Sequence, residues 1–88
     1  MGLCQRVKET IEKELKEATV IISDPRKDGV HLEAIVISEA FEGKSHVDRH
    51  RRVMMCLQEL FSRDLHALAL KTFTSKEWEN EKNSELGG

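Results

Sequence analysis

Four histidines, two cysteines and a short basic run are the residues of this chain with the widest chemical reach. His46 and His50 stand four apart inside FEGKSHVDRHRR (41–52). On a helix, that spacing lets two imidazoles share one metal ion. Val47 follows His46 where a zinc protease would carry glutamate, so metal-assisted hydrolysis is not indicated. Gly43-Lys44-Ser45 matches the end of a phosphate-binding loop, but Ser38 stands where that loop needs its first glycine, and the motif fails. Cys4 and Cys56 lack the spacing of a metal site and fit a reducing compartment.

The elements that must position these residues follow from hydrophobic periodicity. Leu3, Val7, Ile11, Leu15 and Ala18 recur at steps of four or three and predict an amphipathic helix. TVIIS (19–23) and LEAIVIS (32–38) read as strands joined by the polar turn Asp24-Pro25 and the loop that follows, an antiparallel pair. Val47, His50, Val53, Met54, Leu57, Leu60 and Phe61 share one face of a second helix, capped by Ser45 and Asp48 and running to about Asp64. His50 is thereby expected in the core, and Cys56 as a packed side chain. HALALKTF (66–73) predicts a third strand. Thr74-x-x-Glu77 opens a short last helix anchored by Trp78, and residues 81–88 are expected to form a flexible tail.

The order α-β-β-α-β-α predicts an α+β fold with a three-stranded mixed sheet. A helical crossover makes the second and third strands parallel, which brings His31 and His66 to one sheet edge. Two imidazoles on neighbouring strands, roughly 4.8 Å apart, can converge on one iron or zinc and leave positions open for another molecule's ligands.

At 88 residues the chain has room for one domain, assigned to 1–80. Its net charge is −2, from 14 basic and 16 acidic residues, so no global positive field draws it to nucleic acid or anionic lipid. The apolar runs are too short to span a membrane, and MGLCQRVKET has the features of neither a secretory signal nor a presequence. The expected location is the cytoplasm, with the nucleus as a second compartment.

IVISEAFEGKSHVDRHRRV followed by HALALKTFTSKEW resembles the signature of the BolA family, over Leu32 to Trp78. The resemblance implies a type II KH-like fold and a non-enzymatic adaptor. Such proteins pair with a monothiol glutaredoxin of the CGFS type as a heterodimer, sharing a bridged 2Fe-2S cluster in iron-sulfur trafficking or iron sensing, with glutathione supplied on the partner side. His66 matches the family's cluster-ligating histidine in the H-A-L segment. The loop DPRKDGVH holds no cysteine, which leaves His31 as its soft donor for the second position. Phe41, Gly43, His50 and Trp78 match as fold signature, and Lys44, Arg49, Arg51 and Arg52 as a partner or nucleic-acid surface. No cofactor is expected to be needed for folding.

The rival reading is a KH-like DNA-binding transcriptional regulator. Against it, no G-x-x-G loop is present to clamp a nucleic-acid backbone. Residues 41–52 hold four basic and two acidic residues, a local charge of +2, so DNA binding is expected to be weak and salt-sensitive. A homodimer is the other association to consider.

Overall fold

A computed structural model describes residues 2–28, 31–63 and 67–87; His66, the first of the expected cluster ligands, lies outside them. Helix α1 (Leu3–Glu14) is followed by strands β1 (Thr19–Ser23) and β2 (His31–Ile37), and a 3-10 turn at Glu39–Phe41. Helices α2 (His46–Cys56) and α3 (Gln58–Arg63), strand β3 (Ala67–Phe73) and helix α4 (Ser75–Gly87) complete the order. The sheet runs β1-β2-β3, with β1 antiparallel and β3 parallel to the central β2, so the fold is α+β with a mixed sheet as expected.

Period-two alternation divides the sheet into two faces. The register aligns Val20, Val36 and Thr72 in one row and Ile22, Ala34 and Leu70 in the next, on the face that meets the helices. Val7 and Ile11 from α1, and Val53 and Leu57 from the second helical segment, are fully buried against it. Burying a side chain of this kind stabilises the fold by about 1.5–3 kcal/mol, and a charge at Ile11 would break the cluster. The alternate rows, such as Ile21, Ile35 and Lys71, form the other face, where Ile21 is exposed.

Three expectations are corrected. The long second helix breaks at Leu57, whose N–H turns back to the Met54 carbonyl at 3.1 Å instead of continuing the α pattern. Full burial of Leu57 holds the break in place. The last helix, expected to be short, is α4 and runs from Ser75 to Gly87. His50 is exposed and Val47 is 64% exposed, while Arg49 is buried at 5%. The inward stripe of α2 therefore passes through Arg49 and Val53, about one residue away from the apolar reading. An arginine can take the inward position because its charge is met inside the fold.

Its partner is Glu77. Arg49 donates Nη1 to Oε1 at 2.6 Å and Nη2 to Oε2 at 3.2 Å, while its Nε reaches the Lys44 carbonyl at 3.0 Å. The guanidinium lies 5.8 Å from the centre of the buried Phe41 ring. Glu77 also accepts from the Thr74 N–H at 2.9 Å and donates its own N–H to Thr74 Oγ1 at 3.2 Å, a complete capping box. Beside it, Trp78 packs on Phe73 at 5.3 Å between ring centres. Gly43, at φ +77, makes the left-handed turn between Phe41 and α2 that residues with a Cβ adopt only at a cost.

Candidate functional site

The edge where β2 and β3 begin carries the histidine that the topology singled out. His31 is the first residue of β2 and pairs directly with Ala67, the first of β3. It lies within the strand instead of just before it. In the sequence, Ala67 is the immediate successor of His66.

Asp28 fixes the imidazole. Its Oδ1 accepts the His31 backbone N–H at 3.0 Å, and its Oδ2 lies 2.7 Å from His31 Nδ1. A carboxylate can only accept, so Nδ1 carries the proton, and in the neutral imidazole the Nε2 lone pair is left as the donor. The side chains are 43% and 35% exposed, so Nε2 can be reached from outside. A carboxylate behind one ring nitrogen is the arrangement that orients metal-ligating histidines and raises their basicity. The loop before His31 is tightly wound: Lys27 donates its N–H to the Asp24 carbonyl at 3.0 Å and adopts φ 56, the left-handed region. Pro25, Arg26, His31 and Ala67 line one depression at this edge.

Among the described residues, no group of three or more His, Cys, Asp or Glu side chains converges as a metal site. His31 thus offers one donor, and the expected second donor on this chain, His66, falls outside the described residues.

The expected partner or nucleic-acid surface divides in two. Lys44, Arg51 and Arg52 are exposed and form no ion pair among the described residues. Arg49, expected with them, is the internal bridge to Glu77 and is corrected to a structural role. Hydrogen bonds from Arg49 first, and then from the Thr74 backbone, hold the Glu77 carboxyl below its ordinary value. Cys56 is half-buried, with its Sγ 3.3 Å from the Arg52 carbonyl, and burial pushes its thiol up, away from thiolate reactivity.

Sequence reasoning missed Asp28 as a supporting residue. The signal was present: an aspartate three residues before a histidine across a turn, the spacing at which a carboxylate reaches back to backbone and side chain together.

The model of the BolA-like protein family matches residues 6–77. The chain belongs to the BolA family. It is 39% identical over 70 residues to the DNA-binding transcriptional regulator BolA of Vibrio cholerae, covering 73% of this chain and 66% of the relative. It is 43% identical over 49 residues to the protein of the same name from Escherichia coli, covering 56% of this chain and 47% of the relative. The aligned stretch thus spans between about half and two thirds of these two relatives. The structure of a BolA homologue from Coxiella burnetii superposes with a TM-score of 0.77 at 40% identity, over 90% of this chain and 99% of the other. The same architecture therefore underlies this BolA chain and that solved structure. No helix among its described residues is long and apolar enough to cross a membrane.

Proposed function

We propose that this BolA-family chain is a non-enzymatic adaptor that pairs with a CGFS monothiol glutaredoxin and shares a bridged 2Fe-2S cluster with it, in iron-sulfur trafficking or iron sensing. The observation that supports this reading most is the Asp28-His31 pair at the β2-β3 edge, which presents an exposed, oriented imidazole donor. The donor chemistry fits the group, because imidazole replaces thiolate on one iron of some 2Fe-2S centres. His66 and His31 are the residues assigned to hold it from this side, with glutathione and thiolate supplied by the partner. When bound, the cluster supplies electron storage and a transferable iron-sulfur unit. The chain's own part is to aim His31 through Asp28 and to present the surface around it.

Anaerobic reconstitution with a CGFS glutaredoxin, iron, sulfide and glutathione tests the reading. A coloured heterodimer whose absorption and circular dichroism change in His66→Ala supports it. An unchanged spectrum and cluster lifetime in His66→Ala would remove the ligand assignment. His31→Ala should alter the spectrum as well, while calorimetry shows the apo-proteins still associating.

The names of the Vibrio and Escherichia relatives favour DNA binding as the second reading. Lys44, Arg51 and Arg52 are the residues available for it, fewer than the sequence suggested because Arg49 is committed internally. Three phosphate contacts give a log-log salt slope of about −2.7, shallow for a specific duplex complex. Tight DNA binding at physiological salt without a glutaredoxin complex would favour the regulator over the adaptor.

A further inference from the structure

We propose that His46 and His50 form a second metal site, taking a late first-row divalent cation such as Ni2+, Cu2+ or Zn2+, distinct from the edge at His31. The exposure of His50 removes the structural explanation for that residue: it packs into no core. His46 is exposed beside it, one turn earlier in α2. Neither side chain makes a hydrogen bond or ion pair among the described residues, and the two line one shallow hollow with Val47 between them. Side chains four apart on a helix have Cβ atoms about 5–6 Å from each other, close enough for both imidazoles to reach one ion.

The site lies at the other end of the sheet from His31. His46 borders a hollow with Phe73, the last residue of β3, whereas His31 pairs with Ala67, the first. A strand of this length separates the two by roughly 20 Å.

The chief opposing effect is the positive end of helix α2, which disfavours a cation in its first turn. One carboxylate counters it. Asp48 lies in that same turn, while Glu77, which borders the Phe73 hollow together with His46, has its charge met by Arg49. No third His, Cys, Asp or Glu completes a set among the described residues, so water fills the remaining positions and the ion exchanges readily. Imidazole donors favour copper, nickel and zinc over magnesium or calcium.

Titration of the full chain with Ni2+, followed by paramagnetic broadening of amide signals, tests the site. Broadening should centre on residues 46–50 and reverse with chelator. His46→Ala and His50→Ala should each weaken binding at least about tenfold, the scale on which even outer-shell changes act. His31→Ala should leave broadening at 46–50 unchanged. Circular dichroism of the metal-free variants should match the parent, since both side chains are exposed. Equal Ni2+ affinity in the parent and in both variants, or broadening centred away from 46–50, would overturn the proposal.

Discussion

Arg49 and Glu77 tie helix α2 to helix α4 through two hydrogen bonds, at 2.6 and 3.2 Å, with the guanidinium buried and the carboxylate half-exposed. Because Arg49 also bonds the Lys44 carbonyl and lies against Phe41, it joins the turn around Gly43, the core and the last helix. Arg49→Ala removes these contacts together and should cost about 2–4 kcal/mol. Arg49→Lys should recover little of that, because an ammonium cannot reproduce the forked geometry. Urea unfolding monitored through Trp78 fluorescence checks both; a Lys variant as stable as the parent would show that charge alone suffices.

The same pair sets an acid dependence. Glu77 titrates below its ordinary value of 4.5, owing first to Arg49 and then to the Thr74 N–H. Folding therefore favours the deprotonated form. The stabilisation is complete above the unfolded value and is lost as pH falls through the lower folded value. Glu39, held down by hydrogen bonds from Ser75, acts in the same direction. Stability should change little on this account near neutrality and decline in acid below about pH 4.5. Glu77→Gln should be less stable near neutrality and show a shallower acid decline. Parallel curves for the variant and the parent would assign the acid dependence to other groups.

Much of the fold was legible because its signals are local. The steps between Val7, Ile11 and Leu15 specify one face of α1, TVIIS and LEAIVIS specify two strands joined by a turn, and the helical crossover after LEAIVIS makes the third strand parallel to it. What was not legible depends on partners distant in sequence. Arg49 reads as solvated until Glu77, 28 residues later, is placed beside it. His50 then loses the inward place that the apolar count assigned to it. The break at Leu57 is set by tertiary burial, since no glycine or proline marks it. At the candidate site, His31 was found from topology, but Asp28 emerged only from the geometry of its loop.

His50 gives the cleanest stability test of this correction. A histidine packed in the core would cost a few kcal/mol on truncation, whereas an exposed one should fall within about 0.5 kcal/mol of the parent. His50→Ala is expected to unfold at nearly the parental urea midpoint, with an unchanged slope. A loss of more than about 1 kcal/mol would return His50 to the core.

Asp28 separates an orienting role at the β2-β3 edge from a merely structural one. Its carboxylate accepts from both the backbone and the ring of His31, so Asp28→Asn keeps the size of the side chain but no longer enforces the proton on Nδ1. Because both residues are partly exposed, apo stability should fall by no more than about 1 kcal/mol. If the edge holds a shared cluster as proposed, the heterocomplex should lose it about 10–100-fold faster than the parent, the scale of outer-shell substitutions at histidine-ligated metals. Apo-complex affinity by calorimetry should stay unchanged, which distinguishes loss of ligand orientation from loss of the docking surface. A parental cluster lifetime in Asp28→Asn, together with a shortened one in His31→Ala, would show that the imidazole ligates without help from this carboxylate.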